Sequence, residues 1–172
     1  MYAIETERLV LRIITMNDLE LVFETLNFRN TAETISIFSW PMTMEQAESW
    51  CQRSETKFRE KNDFLFIAID KVSQNPVGCT GCHKEADEAA EVGYWVAEPF
   101  QKKGYASEML KAMIEFVRHE TDYTRLFATV KPGNAGSSRT LEKNGFTLKD
   151  RKNIKSLDGK LYLKDVYELE KV

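Results

Sequence analysis

The sequence Glu91-Val-Gly-Tyr-Trp-Val-Ala-Glu-Pro-Phe-Gln-Lys-Lys-Gly-Tyr-Ala106 carries the clearest structural signal in the chain. Its first six residues are rich in aromatic and β-branched side chains, which predicts a buried strand over 91–96. Pro99 cannot donate a hydrogen bond to a sheet, so the strand ends before it. Apolar side chains then recur at helical spacing, which predicts a helix over 105–120; they are Met109, Leu110, Met113, Ile114 and Val117.

The turn at 101–106 has the features of an anion-binding site. Free N–H groups at a helix N-terminus point away from the helix, and the helix dipole favours negative charge there. Gly104 allows a ligand to approach the backbone closely, and Lys102 and Lys103 add positive charge. A pyrophosphate group fits these features. By its spacing alone the pattern Gly-x-Ala is a weak signal, and an ordinary glycine-containing turn before a helix is the alternative.

Three segments of this chain resemble segments of the GNAT superfamily of N-acetyltransferases, and they occur in the same order along the sequence as in that family. Gln101-x-x-Gly104-x-Ala106 is similar to the acetyl-CoA signature of that family, Gln/Arg-x-x-Gly-x-Gly/Ala. Asn134-Ala-Gly-Ser137-Ser-Arg-Thr-Leu-Glu-Lys-Asn-Gly145-Phe146 resembles its second segment, Asn-x-x-Ser followed by Glu-Lys-x-Gly-Phe. The opening Thr6-Glu-Arg-Leu-Val-Leu-Arg12 is similar to the start of the branch named for ribosomal-protein N-terminal acetyltransferases (RimJ/RimL type). Together the segments span nearly the whole chain.

Length and composition predict one folded domain over residues 1–172. The chain is 42% hydrophobic and 30% charged, which is typical of a globular protein with a substantial core. A net charge of −3 argues against a nucleic-acid partner held by phosphate neutralisation. No apolar run is long enough for a membrane span, and the N-terminus lacks the features of a signal peptide. We therefore expect a cytoplasmic protein with three reduced cysteines, either a monomer or a homodimer, without a membrane partner.

Hydrophobic periodicity predicts a mixed α/β fold in the order β-α-α-β-β-β-α-β-α-β-β. The resemblance implies the same order and a GNAT-like fold, with a central, mostly antiparallel sheet, one splayed parallel pair, and helices on both faces. The expected strands are 8–14, 63–70, 77–84, 91–96, 125–130, 147–154 and 161–169, the last two around the hairpin signal Asp158-Gly159. The expected helices are one from Asn17 or Asp18 to about 27, one capped by Thr43 to about 61, and those at 105–120 and 134–144, with 28–42 irregular.

The resemblance also implies where acetyl-CoA binds. In the family, the strand that corresponds to 91–96 separates from its parallel neighbour, here 125–130, and the pantetheine arm lies in the gap. Backbone groups along that arm would be those of Trp95, Val96 and Ala97. The pyrophosphate would bind the turn formed by Gln101, Lys102, Lys103, Gly104, Tyr105 and Ala106. Asn134 and Ser137 would hold the arm from the next helix, and Arg139 is a candidate for the phosphates, with a solvated charge as its alternative.

Acetyl transfer requires a base for the amine and a donor for the departing thiolate. Glu91 is the candidate base, because the family often carries a carboxylate at the start of this strand; a solvated strand-end carboxylate is the alternative. Many family members place a tyrosine four residues before the glycine of Gly-Phe, but that position is Leu141 here. Ser137 is therefore the candidate for assisting the thiolate, and simple helix-start chemistry beside Asn134 is the alternative.

The resemblance implies an enzyme that transfers an acetyl group from acetyl-CoA to a primary amine by direct attack in a ternary complex. The acceptor would be the N-terminal α-amine of a protein, for example a ribosomal protein, or a small-molecule amine. A coenzyme-binding sensor without turnover is the alternative class, which the absence of a tyrosine at Leu141 favours. Candidates for the acceptor pocket are Arg12, Phe38, Trp40 and Tyr94, with core packing as the alternative for the aromatic residues.

The segment Cys79-Thr-Gly-Cys82-His83 matches the pattern for covalent haem attachment. That attachment belongs to exported proteins, and alternating side chains in a predicted strand are unsuited to the edge of a haem. The sequence offers no second ligand pair for a zinc site, so we expect no metal. In the GNAT family this segment commonly reads apolar-Gly-x-x-Gly, which Val77-Gly78-Cys-Thr-Gly81 matches.

Overall fold

The computed structural model describes residues 2–26, 41–86, 88–155, 159–170 and 172. Within these ranges, eight strands form one sheet in the order β1-β2-β3-β4-β5-β6-β8-β7. The strands are β1 (Ala3–Glu5), β2 (Leu9–Ile13), β3 (Asp63–Asp70), β4 (Pro76–Ala86), β5 (Ala89–Val96), β6 (Arg125–Val130), β7 (Thr147–Lys155) and β8 (Leu161–Glu170). The helices are α1 (Leu19–Leu26), α2 (Met44–Arg59), α3 (Tyr105–Glu120) and α4 (Ala135–Lys143).

The sheet is mixed and mostly antiparallel, which confirms the predicted fold class. Neighbouring strands pair antiparallel throughout the described sheet except β5 and β6, which run parallel. The chain joins these two strands through α3, as parallel neighbours require a crossover connection. Within the described residues, the predicted order of elements is confirmed, with one addition: the three-residue edge strand β1, which pairs with β2.

An apolar core lies on each face of the sheet, because alternate residues of a strand point to opposite faces. On the first face, α3 packs its buried stripe, including Met109 and Met113, against strand residues such as Phe66. The second core contains Ile67 and Cys79 of the sheet together with Cys51 of α2. Strand β5 contributes to both cores, with even-numbered residues toward α3 and Trp95 toward α2.

Helix starts follow the sequence signals with one exception. Thr43 caps α2 as predicted, since its hydroxyl accepts from the N–H of Gln46. Asn17 or Asp18 is expected to cap α1, but both residues lie in a single 3-10 turn, Met16–Asp18, that precedes the helix. The carboxylate of Asp18 turns inward and accepts hydrogen bonds from the Thr15 N–H and from Arg12, so Asp18 is only 2% exposed.

The Cys-x-x-Cys-His segment lies in β4, where its two cysteines face opposite cores. Cys79 belongs to the core with α2, and Cys82 to the core with α3. Both thiols are buried and free, and two side chains on opposite faces of one strand cannot hold the same group. Among the described residues, no three His, Cys, Asp or Glu side chains converge as metal ligands. None of the helices in these ranges is long and apolar enough to cross a membrane.

The close approach of β4 to β5 at Gly78 generates a stability prediction. A Cβ atom at position 78 would collide with the backbone carbonyl of Trp95, whereas one at Gly93 would meet nothing within 4 Å. We expect Gly78→Ala to lower the free energy of unfolding by about 1–3 kcal/mol, because overpacking displaces β5. Gly93→Ala is the matched control and should change it by less than ~1 kcal/mol. Urea unfolding monitored by tryptophan fluorescence measures both, and equal stabilities would contradict the prediction.

Candidate active site

Strands β5 and β6 stay together over only three residue pairs, which are Ala89–Arg125, Ala90–Leu126 and Glu91–Phe127. Beyond them β5 continues to Val96 bonded to β4, and β6 continues to Val130 bonded to β8. The two strands therefore diverge and leave a V-shaped gap with Glu91 at its apex. One edge of β5 is free of strand partners along this gap within the described sheet, so its backbone polar groups can bind a ligand.

At the wide end of the gap, the turn at 101–104 folds back onto β5. The side-chain amide of Gln101 donates to the carbonyl of Val96 at 3.0 Å. The next residue, Ala97, uses its N–H on the other side, where it donates to the carbonyl of Val77 in β4 at 2.8 Å. Among the three residues expected to line the pantetheine arm, Ala97 therefore has its N–H committed to the sheet.

The start of α3 presents an anion-binding backbone. Lys102 has a φ of 61° and Gly104 a φ of 84°, so two left-handed residues precede the helix and turn its first N–H groups outward. A Cβ atom at Gly104 would have only the Arg8 guanidinium nearby, at 3.5 Å, so the space above this residue is open. Lys102 and Lys103 are exposed beside it. The structure thus brings together the predicted residues 101–106 in one cationic turn.

Arg8 holds this turn in place, a role that sequence analysis did not predict. Its guanidinium donates to the carbonyl of Lys103 at 2.9 Å and to the carboxylate of Glu108 at 2.7 Å, and it lies 4.2 Å from the ring centre of Tyr105. The hydroxyl of Thr6 donates to the same Glu108 at 2.6 Å. Thr6 and Arg8 both belong to the opening segment that resembles the GNAT branch. That resemblance was the sequence signal from which their role could have been predicted.

On the opposite side of the gap, α4 approaches β5 through Tyr94. The Tyr94 hydroxyl donates to the backbone carbonyl of Ser137 at 3.2 Å. Burial raises the pKa of Tyr94 to about 12, and interactions with the side chains of Ser137 and Thr140 oppose this only in part. Asn134 caps α4, since its side-chain oxygen accepts from the Ser137 N–H at 3.2 Å. A phenol and a serine hydroxyl are therefore neighbours at the gap, although position 141 holds a fully buried leucine.

Glu91, at the apex, is a half-buried carboxylate rather than a fully solvated one. The hydroxyl of Thr129 on β6 donates to it at 2.8 Å. Burial raises the pKa of Glu91, and the Thr129 hydrogen bond lowers it only in part. Nearby charges contribute as well, since Glu85 raises the pKa while His83 and Lys164 lower it. A carboxylate with a raised pKa is a stronger base than an exposed one, which suits proton abstraction.

Of the remaining candidate residues, Arg139 lies on α4 beside the gap, whereas Arg12 lies on β2 and is held in an ion pair. Arg139 is exposed on α4, on the same short helix as Asn134 and Ser137. Arg12 forms a bidentate pair with Asp18, at 2.7 and 2.5 Å, so its guanidinium is committed. Phe38 and Trp40 lie outside the described residues.

A cavity of about 220 Å³ opens beside Thr129 on the face of the sheet that carries Glu91. Its walls combine apolar side chains of the sheet with two acidic and two basic residues. The lining includes Phe127, Thr129, Glu85, Glu168, Arg125 and Lys152. A space of this kind, next to a candidate base, can admit an amine-bearing side chain or terminus.

Residues 8–147 match the family described as acetyltransferase (GNAT) domain. The chain belongs to this family. YnaD of Bacillus subtilis (strain 168), named as an uncharacterized N-acetyltransferase, is 31% identical over 144 residues, which cover 83% of this chain and 81% of that protein. The predicted family and enzyme class, an acetyltransferase, are thereby confirmed.

Two solved structures illustrate the shared fold. The ribosomal-protein-S5-alanine acetyltransferase from Vibrio fischeri superposes with a TM-score of 0.86 at 18% identity, covering 99% of this chain and 97% of that one. The microcin C7 self-immunity acetyltransferase MccE, solved with acetyl-CoA and AMP, gives 0.80 at 18% identity, covering 96% and 93%. At these identities the likeness shows the shared fold alone.

The geometry of the turn predicts the effect of Gly104→Asp. This substitution adds a side chain at a φ of 84° and a negative charge in the open space above the helix start. We expect the affinity for acetyl-CoA to fall by tenfold or more, ~1.4 kcal/mol or greater, while the fold is retained. Gly159→Asp is the matched control, because Gly159 has a φ of 80°, nothing within 4 Å, and lies before β8. If calorimetry gives both variants the same affinity, the turn does not bind the pyrophosphate.

Proposed function

We propose that this acetyltransferase moves the acetyl group of acetyl-CoA to a primary amine by direct attack in a ternary complex. The observation that supports it is the gap between β5 and β6, which combines three chemical elements. Glu91 lies at its apex, the Ser137–Tyr94 pair at one wall, and the anion-binding turn at its open end. Acyl transfer needs a base, a hydrogen-bond donor for the thiolate and a binding site for the coenzyme, and the residues around the gap can supply all of these.

In this proposal acetyl-CoA enters at the turn and lies along β5. The pyrophosphate oxygens accept hydrogen bonds from the backbone N–H groups of residues 104–106. The side chains around the pyrophosphate are those of Gln101, Lys102 and Lys103. The pantetheine arm lies beside Trp95, Val96 and Ala97 and bonds to the backbone groups of β5 that face the gap. Asn134 and Ser137 of α4 cover the arm from the other side, and Arg139 approaches a phosphate.

The reaction follows from the positions of Glu91 and Ser137. Glu91 accepts a proton from the acceptor amine through a water molecule, and the free amine attacks the thioester carbonyl. The new C–N bond forms as the C–S bond breaks. The Ser137 hydroxyl, adjacent to the Tyr94 phenol, donates a hydrogen bond to the departing sulfur. An α-amine with a pKa of ~8 needs less help than a lysine amine near ~10.4, so an N-terminal amine suits this moderate base.

The acceptor is a primary amine that enters on the face carrying Glu91. The cavity beside Thr129 carries Glu85 and Glu168, either of which can pair with a cationic amine, as well as the basic Arg125 and Lys152 and the apolar wall of Phe127. Because neighbours of the same fold include a ribosomal-protein acetyltransferase, a protein N-terminus is one acceptor to test, and polyamines are another. We place the reaction in the cytoplasm, with a monomer or homodimer as the active form, and without nucleic acid or membrane.

A coenzyme sensor without turnover is the second candidate function. It is favoured by Leu141, which is fully buried and has no proton to donate. An acceptor panel of peptide N-termini, polyamines, amino acids and aminoglycosides, with acetyl-CoA and detection of free thiol, separates the two. Release of thiol that depends on one acceptor supports the enzyme. Binding of acetyl-CoA without thiol release from any acceptor supports the sensor.

Ser137→Ala tests assistance to the leaving thiolate. Turnover should fall by about 10²-fold, the lower end for general acid catalysis, because a thiolate is already a good leaving group. The apparent KM for acetyl-CoA should change less, as expected for an interaction that strengthens in the transition state. Ser138→Ala is the matched control on the next residue and should keep the parent turnover. Parent turnover in Ser137→Ala would leave Ser137 with only a role at the start of α4.

Glu91→Gln tests the base through its pH dependence. The pKa of Glu91 is raised, so in the parent enzyme the rate should fall as pH drops through that pKa and the carboxylate gains a proton. Glu91→Gln should be slow at neutral pH and should recover partly at high pH, where more amine is free. Glu88→Gln, an exposed carboxylate three residues earlier, is the control. If the pH profile of Glu91→Gln superimposes on that of the parent, Glu91 is not the base.

A further inference from the structure

Four polar side chains form a row across one face of the sheet and end at the apex of the gap. They are Asp63 of β3, His83 of β4, Glu91 of β5 and Thr129 of β6. In the strand register Asp63 is directly opposite His83, and His83 is directly opposite Glu91. Directly opposed residues of antiparallel strands have side chains on the same face, with Cβ atoms roughly 4.5–5.5 Å apart. His83 is therefore the cross-strand neighbour of the proposed base.

The contacts along the row give His83 a defined orientation. Its Nδ1 lies 3.5 Å from the Asp63 carboxylate, which leaves Nε2 as the nitrogen that can accept a proton. The Glu91 carboxylate is held at 2.8 Å by the Thr129 hydroxyl at the other end. A carboxylate that fixes the tautomer of a histidine is a recurrent device for making the second nitrogen a proton acceptor.

Exposure changes along the row in the direction that a proton must travel. Glu91 is half-buried at the apex of the gap, whereas the His83 side chain is 40% exposed. A proton taken up by Glu91 during the reaction has to leave before the next turnover. His83 offers it a route from the half-buried carboxylate to solvent.

We propose that His83 relays the proton from Glu91 to solvent and so restores the carboxylate for the next turnover. The inference rests on the proposed function of Glu91. The O–H bond of the Glu91 carboxylic acid breaks as an N–H bond forms at Nε2 of neutral His83, directly or through one water molecule. The imidazolium then loses this proton to water. Asp63 stabilises the transient imidazolium and orients the ring.

Other charges face this pair and enter the expected pH dependence. Asp63 faces His83 from β3, and Arg53 of α2 lies within electrostatic reach of Asp63. Glu85 on β4 and Lys164 on β8 act on Glu91 with opposite signs. Asp63 and Glu91 therefore place a carboxylate on each side of His83 in the strand register.

NMR spectra of the histidine side chains test the contact between His83 and Glu91 without any acceptor. The chain has two histidines, His83 and His119, so the spectrum of His119→Gln assigns both. We expect the ring ¹⁵N shifts of His83, which report the tautomer and the hydrogen bonds of the imidazole, to change in Glu91→Gln and in Asp63→Asn, because both carboxylates are its cross-strand neighbours. Unchanged ring shifts of His83 in Glu91→Gln overturn the proposal, since a histidine that does not sense Glu91 cannot exchange a proton with it.

Kinetics with the best acceptor of the panel above supply the second test. His83→Gln should reduce turnover by about tenfold near neutral pH, with little change in the acceptor KM, because the relay follows acceptor binding. The double variant Glu91→Gln/His83→Gln should be as slow as Glu91→Gln alone, since a relay acts only through the base. His119→Gln is the matched control: it is 73% exposed at the end of α3, pairs with Glu115, and should keep the parent rate.

The outcomes separate this inference from the function on which it rests. Turnover of His83→Gln at the parent rate, or a further additive loss in the double variant, overturns the relay. A drop in melting temperature with an unchanged pH profile assigns His83 and Asp63 a structural ion pair and also overturns it. Parent activity in Glu91→Gln refutes the base itself, whereas an impaired Glu91→Gln beside an unimpaired His83→Gln refutes only the relay.

Discussion

The separation of β5 from β6 after three residue pairs is the constraint on which the site depends. Two contacts keep β5 away from β6. On one side, Gly78 allows β4 to approach so closely that a single extra carbon would collide with Trp95. On the other, the start of α4 lies against β5 through the hydrogen bond from Tyr94 to Ser137. Beyond Glu91, β5 is paired on one edge only within the described sheet, and its other edge is open to the ligand that we propose.

The turn that faces this edge is stabilised by parts of the chain that are remote in sequence. Arg8, about a hundred residues away, holds Lys103 and Glu108, and Tyr105 donates to Asp70 at 2.8 Å. The Ser73 backbone N–H and the Tyr105 hydroxyl lower the pKa of Asp70 to about 2, so this carboxylate stays ionised at the pH of any ordinary assay. Loss of these contacts would therefore loosen the turn at 101–104. It would also weaken the packing of α3 against the ends of β2 and β3.

The sequence predicted local features well and long-range contacts poorly. The strand, turn and helix at 91–120 and the caps at Thr43 and Asn134 depend on neighbouring residues, so local chemistry identifies them. The opposition of Asp63, His83 and Glu91 depends on the register of three strands, which no local pattern specifies. The same holds for the Arg8–Glu108 pair. The predicted strand already argued against a ligand shared by Cys79 and Cys82, and the structure places the two thiols on opposite faces.

The alternation of β5 separates the two halves of the proposed reaction. Tyr94 and Val96 point toward α3 and α4, where α4 would cover the coenzyme, whereas Glu91 and Trp95 point to the opposite face, where the cavity would admit the acceptor. In a continuous sheet the backbone between these faces would block any reaction. Because β6 has diverged, a thioester carbonyl bound in the gap would be accessible from both faces, so the proposed base and thiolate donor would act on one carbon from opposite sides. The half-burial that raises the pKa of Glu91 is the cost of placing it where the strands part.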